Sequence, residues 1–439
     1  MSSTDVRALL DESIAKVRQA QDLQDQSIAL QQQAQATAGA GGSAPVIMIE
    51  AGGSLLSTLE QAPVPATIVV SPEVLTDTGE EDLVISKPVT IIGPAIYGQV
   101  DVQAPDVKLI GYAVRGKRPE RALMATGPRL VLQGGVLQGS MSGQRRGVWL
   151  RSTGFRMSDS SVLDIFGVGQ ETQAVGGWSG LHDVLIERCV LESASENILI
   201  GGGGCPVAAD IPSNVVVRKS TLRKPLQWRG KGYKCKNLYE LKNCKGAILE
   251  DCNLDYSWVD GQIGYGIVLT VQNQDKDQPE TTISDVIIRR NMLRHLAGAV
   301  QLDARDYRVG AASVPMSNVS FEDNLFEDIS PEWGANQRTF QFARGFSGLR
   351  ILRNRFSGTS IHSFFDFDGE ADLWSNMIID GNTFYEGAYG MKCPDAAPGM
   401  PTLAKYSPGY TWTMNGVLRT VPNNPNGIIY PPRTILMTA

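Results

Sequence analysis

Three aspartates lie in short runs of alternating polarity: Asp303 in VQLDAR (300–305), and Asp366 and Asp368 in FDFDG (365–369). Residues two apart on a strand share a face ~7 Å apart, so Asp366 and Asp368 form one potential carboxylate pair. If the two runs lie two strands apart in one column, the ~4.8 Å strand spacing puts Asp303 and Asp368 ~10 Å from each other. Such separations border on what an inverting glycoside hydrolase needs between its acid and its base. Arg305 and Arg344 are placed to hold an acidic sugar through paired N–H donors. Trp258 and Trp333, with Trp228 and Tyr256, offer aromatic surfaces for stacking on a glycan. A polar outer sheet carries carboxylates for solubility alone, so the spacing permits this chemistry without requiring it.

The elements that must position these residues announce themselves by repetition. DVIIRRNML (285–293) returns as NVSFEDNLF (318–326), GLRILRNRF (348–356) and NMIIDGNTF (376–384). Extending the pattern backwards finds RLVLQGGVL (129–137), GFRMSDSSV (154–162), DVLIERCVL (183–191), NVVVRKSTL (214–222) and GAILEDCNL (246–254). Successive copies start 25 to 39 residues apart. The second, fourth and ninth places are apolar, which predicts a strand with one buried face. The seventh place reads Gly135, Ser160, Cys189, Ser220, Cys252, Asn291, Asn324, Asn354, Asn382, a column of small residues suited to a sharp turn. Further alternating runs lie between copies: LYELKN (238–243), IVLTVQ (267–272), VQLDAR, FQFAR (340–344) and FDFDG. Three short strands per repeat of about 30 residues, with no room for crossover helices, predict an all-β solenoid, a right-handed parallel β-helix. One outward column then holds Lys242, Thr270, Asp303, Ala343 and Asp368; its neighbour holds Glu240, Val268, Gln301, Gln341 and Asp366. The longest spacing contains QNQDKDQPETTIS (272–284), expected to bulge from the side as a dispensable loop.

SLLSTLEQAPVPATIVVSPEVLTDTGEEDLVISKPVTIIGP (54–94) resembles the opening of pectin-lyase-like β-helix proteins, in which a short capping helix precedes the first strands. KNLYELKNCKGAILEDCNLDYSWVDGQIGYGIVLTVQNQ (236–274) is similar to a segment of bacterial β-helix proteins. The resemblance spans about residues 54 to 393 and implies the fold. That fold hosts lyases, hydrolases, epimerases, adhesins and viral spikes, so it leaves the chemistry open. The NTD, DD, GHG and RIK signatures of the galacturonan hydrolases are absent, as is the DPHD of the alginate epimerases.

Residues 1–45 are expected to form an oligomerisation or docking helix and its linker. Val6, Leu10, Ser13, Val17 and Ala20 follow an imperfect coiled-coil spacing ahead of TAGAGGSAP (37–45). The β-helix is expected over 46–393. Residues 394–439 are rich in proline and are expected to end the repeat as a cap.

A net charge of −6 argues against general binding to nucleic acid or an anionic membrane. The basic run RKPLQWRGKGYKCK (223–236) reads as a solvated turn. His182, His295 and His362 are isolated and the six cysteines show no CxxC, so neither a metal nor a cofactor is expected. The N-terminus has no apolar leader and no run reaches the ~20 apolar residues of a membrane span. These features predict folding in a reducing cytosol with free thiols. The expected role is structural: a homotrimeric phage tailspike, tail fibre or capsid-decorating spike of the virion. It would dock on other virion proteins through residues 1–45 and contact host surface polysaccharide. The alternatives are a polysaccharide hydrolase or lyase using Asp303, Asp366 or Asp368, and a bacterial carbohydrate-binding β-helix.

Overall fold

The computed structural model describes residues 44–334, 337–357, 361–369, 373–419 and 427–438. The helix expected within 1–45 therefore falls almost wholly outside the described residues. Within them the chain winds as a parallel β-helix: every pairing between named strands is parallel. A 14-stranded sheet forms one wall, and a 24-stranded sheet supplies the other two strands of each coil. One coil runs Ile283–Arg289, Met292–Leu296 and Gly298–Asp303 before returning to the first wall at Ser317–Glu322.

The repeat explains the register. The fourth places stack directly, Leu132 on Met157, Ile186, Val217, Leu249, Ile288, Phe321, Ile351 and Ile379. The second and fourth places of all nine copies are buried in one continuous core. No coil can bury its apolar face alone; each shields the next. The opening resemblance also holds, since helix Leu55–Gln61 precedes Ala66–Val70, with Ser54 Oγ accepting from the Ser57 N–H at 3.3 Å.

The turn after the fourth place divides its work between two residues. The residue with positive φ is the sixth, as in Asp251 (φ 55), Arg290 (φ 54), Asp323 (φ 55) and Arg353 (φ 53). The seventh turns inward and bonds. Asn291, Asn324, Asn354, Asn382 and Asn415 form a buried ladder: each Oδ1 accepts from the residue one rung back, at 2.8–3.0 Å. Each Nδ2 donates to a backbone carbonyl, for example Asn354 to Phe321 at 2.9 Å. In earlier rungs Ser160 and Ser220 accept the same backbone N–H through Oγ. Outside the ladder, sixth-place charges pair between rungs, Arg188 with Asp159, Arg290 with Asp251 and Arg353 with Asp323.

Three expectations change. The repeat does not end at 393: GYTWTMNGV (409–417) is another copy, stacking Trp412 on Ile379 and carrying Asn415 in the ladder. Proline is tolerated there because it sits between strands. The insertion at 272–284 is anchored, since Thr281 is buried and Thr282 takes Asn243 Oδ1 on its N–H at 3.2 Å. The basic run 223–236 is a solvated turn only in its middle, where Arg229, Lys231 and Lys234 are exposed; Lys224 and Lys236 at its ends are buried. All six cysteines are free.

Candidate functional site

The third strand of each coil presents the expected column: Glu240, Val268, Gln301, Gln341 and Asp366 are paired in that order. Asp303 pairs with Thr270 in the adjacent column. A 340 Å³ cleft opens here, lined by Asn237, Glu240, Lys242, Tyr265, Gln301 and Asp303 among others. A larger hollow of 720 Å³ toward the N-terminal end is lined by Leu75, Tyr97, Val114 and Met141 and by no carboxylate.

The aspartates singled out by spacing are held by cations. Asp303 is buried and takes both ends of a guanidinium fork, Arg344 Nε reaching Oδ1 at 2.8 Å and Nη2 reaching Oδ2. Arg344 in turn lies 4.8 Å from the Tyr307 ring. Asp366 Oδ2 lies 2.5 Å from Arg338 Nε and 3.6 Å from Lys392 Nζ. The Arg338 N–H is not aligned on that oxygen, so this is proximity of charge without a formed hydrogen bond. Burial pushes the Asp366 carboxyl up, against the pull of Arg338 and Lys392. Asp368 is exposed at the strand end, its N–H donating to Phe342 O at 3.0 Å. Arg305 lines a different hollow, beside Pro315, Phe346 and Leu373. The structure thus gathers Asp303 and Arg344 at the cleft and Asp366 farther along the same face, and leaves Arg305 aside.

The expected stacking tryptophans are not stacking platforms. Trp258 is 4 % exposed and packs with Trp228, Ala194 and Cys235 under the lateral loops. Trp333 is 7 % exposed, donating through Nε1 to Asp328 at 2.8 Å. It packs edge-on against Tyr256 and His295, which stack on each other at 4.5 Å. Tyr256 (φ 64), His295 (φ 57) and Asp328 (φ 49) occupy the left-handed region at the same position of successive rungs, with the strand register unbroken on either side.

Next to the cleft, around its lining residues Asn237 and Glu240, other residues carry more chemical tension. Glu196 is 1 % exposed, with Oε1 3.3 Å from Lys236 Nζ and Oε2 accepting from Gln173 Nε2 at 2.8 Å. Burial and the Glu240 charge push its carboxyl up, outweighing Lys236, which also pairs with Glu171. Burial works against the Lys236 ammonium, yet Glu196, Glu171 and Glu240 together hold its pKa above the usual lysine range. Glu240 accepts from Asn237 Nδ2 at 2.8 Å and lies 3.3 Å from Lys242 Nζ. A buried carboxyl that holds its proton more firmly than an ordinary glutamate, beside a lysine, is the kind of group a general acid requires.

A second feature runs along the same face. Arg121, Arg146, Gln173 and Glu196 stack rung on rung. Asn237, two residues ahead of Tyr239, extends this line to Tyr265, Gly298, Arg338 and Ser363. Arg121 Nε, Arg146 Nε, Gln173 Oε1, Asn237 Oδ1 and Ser363 Oγ are buried without a hydrogen-bond partner. Buried polar atoms are nearly always paired, so a run of orphans in one column marks a surface that its own side chains do not satisfy.

Among the described residues no cluster of three or more His, Cys, Asp or Glu side chains is arranged to hold a metal ion. No helix among them is long and apolar enough to cross a membrane.

No protein-family model matches the chain, and no curated protein matches it. Solved structures do match. The Dettilon tailspike protein is 14 % identical with a TM-score of 0.47, over 90 % of this chain and 68 % of that one. An alginate lyase from Paenibacillus sp. str. FPU-7 is 13 % identical with a TM-score of 0.37, over 90 % of this chain and 98 % of that one. The tailspike of E. coli bacteriophage HK620, in complex with a hexasaccharide, is 10 % identical with a TM-score of 0.41, over 93 % and 73 %. At such identities and TM-scores the likeness adds nothing to the parallel β-helix that the strand pairing itself establishes.

Proposed function

We propose that this chain is a glycan-binding β-helix serving as an attachment spike of a phage virion, with a polysaccharide lying along the third-strand face. The observation that carries the reading is the axial column of orphaned polar atoms from Arg121 to Ser363, flanking the 340 Å³ cleft. Coils repeat every ~4.8 Å, so a linear chain of hydroxyl-rich units laid along the axis meets a fresh set of donors and acceptors at each rung. Asp303, already gripped by Arg344, acts there as an ion-paired contact, and Asp366 lies farther along beside Arg338 and Lys392. Assembly as a homotrimer docked through residues 1–45 belongs to the same proposal. Calorimetric titration of the full chain with purified host capsule or O-antigen tests it, and light scattering tests the trimer. No heat with any surface polysaccharide, or a monomer in solution, would count against the respective half.

A specific observation favours a second reading, depolymerisation. The raised carboxyl of Glu196 beside Glu240 suits a general acid with its base one rung away. Release of reducing ends from the bound polysaccharide, lost in Glu196→Gln, would establish it.

A further inference from the structure

Arg146 differs from the other arginines on this face. Arg121 reaches Asp82 at 3.0 Å, Arg344 grips Asp303, and Arg419 lies 3.4 Å from Glu386. Among the described residues Arg146 pairs with no carboxylate. Its guanidinium carbon sits 4.1 Å from the Trp149 ring centroid and 5.8 Å from that of Trp178. The two indoles meet edge to face at 5.3 Å. Burial, reinforced by Arg145, lowers the Arg146 pKa to about 10 against the longer-range pull of Glu120, Glu171 and Glu196, none of which forms an ion pair with it among the described residues. Contact with a ring face offsets only part of that cost.

The surroundings complete a cradle. Gly176 occupies the rung between Trp149 and Leu199, and a Cβ there would stand 3.0 Å from the Trp149 ring. Trp178 is partly exposed, so an indole surface faces outward beside the cation. Gln173, on the next rung, is buried with Oε1 unpartnered, an acceptor lacking its donor. A fitting ligand therefore combines a planar anion for the guanidinium fork, apolar C–H surface for the indoles and a hydroxyl for the amide oxygen.

We propose that Arg146, Trp149 and Trp178 form a subsite for a carboxylated sugar unit of the uronic-acid type. This rests on the glycan reading above and names the chemistry at one end of that track. Gln173 is satisfied on binding by a small inward adjustment of the amide or by one bridging water.

The test titrates the full chain with oligogalacturonate, oligomannuronate and oligoglucuronate, each against its methyl ester, following heat and tryptophan fluorescence. At least one acid should bind about tenfold or more tightly than its ester, because a charge-assisted hydrogen bond is lost. Tryptophan emission should change with the acid. Arg146→Met, which keeps the apolar stem on Trp149, should bring acid and ester to equal affinity. Trp178→Ala should weaken both, and provides a second readout if the first variant folds poorly. Equal binding of acid and ester by the wild type, or an undiminished preference in Arg146→Met, overturns the subsite. If host polysaccharide binds and these variants leave its affinity unchanged, only the subsite fails. If no saccharide binds the wild type, the glycan reading fails with it.

Discussion

The Glu196 carboxylate and the Lys236 ammonium face each other at 3.3 Å, yet burial and Glu240 leave that carboxyl harder to ionise than an ordinary glutamate. A carboxyl whose folded pKa lies above its unfolded value adds most stability at low pH. The advantage is lost as pH rises from the ordinary glutamate value of about 4.3 through the folded value. Glu196→Gln removes this titration while Lys236 keeps Glu171 as a partner. Denaturant melts from pH 4 to pH 8 should show the variant gaining on the wild type as pH rises. A constant difference across that range would mean that Glu196 titrates normally.

The asparagine ladder should dominate the stability of the C-terminal half. Asn354 is fully buried, donates to Phe321 O, and accepts from the Asn324 backbone at 3.0 Å and from its side chain at 2.9 Å. Asn354→Ala orphans these groups and should cost about 2–4 kcal/mol. Asn354→Ser, reproducing the Oγ acceptor of Ser160 and Ser220, should cost less. Chemical denaturation of the pair checks the order.

Lys224 makes a comparable internal clamp. Its ammonium donates to Ser193 O (3.1 Å), Ser195 O (2.6 Å), Asn197 Oδ1 (3.1 Å) and Asn237 O (3.2 Å). Lys224→Met keeps the volume but strands four acceptors, and should destabilise by about 3–5 kcal/mol. A melt within a degree of wild type would contradict this role.

Charges on the turn edge should matter little one at a time. Arg290 holds the Asp251 carboxyl below the usual aspartate range, chiefly through hydrogen bonding. A depressed carboxyl contributes above the ordinary aspartate pKa, and the contribution is lost as pH falls through the folded value. Because both partners are about a third or more exposed, Asp251→Asn should cost no more than about 0.5 kcal/mol at pH 7. The difference should vanish in acid. Thermal melts at pH 7 and pH 2.5 measure both numbers.

How much of this was legible in the sequence follows from burial. The first strand of each coil has one face in and one face out, so Val286 and Ile288 keep their period and the fold can be read. The column Glu240, Val268, Gln301, Gln341, Asp366 was also legible, because those runs alternate. Gln173–Gly177 (QAVGG) and Glu196–Ile200 (ENILI) show no polar–apolar alternation in sequence, unlike the equally buried Ser363–Phe367, so their polar residues escape notice. Trp149 and Trp178 were hidden likewise. Trp258 and Trp333 looked available because a single sequence does not reveal which aromatics the lateral loops cover. GYTWTMNGV was masked by the surrounding prolines, although its Asn415 fits the pattern.

The central claim is that a saccharide lies along the third-strand face. Hydrogen–deuterium exchange of the full chain with and without purified host polysaccharide tests it most directly. Protection should fall on peptides covering Arg146–Leu150, Gln173–Gly177, Tyr239–Leu241, Tyr265–Thr270 and Gly298–Asp303. Protection confined to the 14-stranded wall, or none at saturating polysaccharide, would contradict the claim.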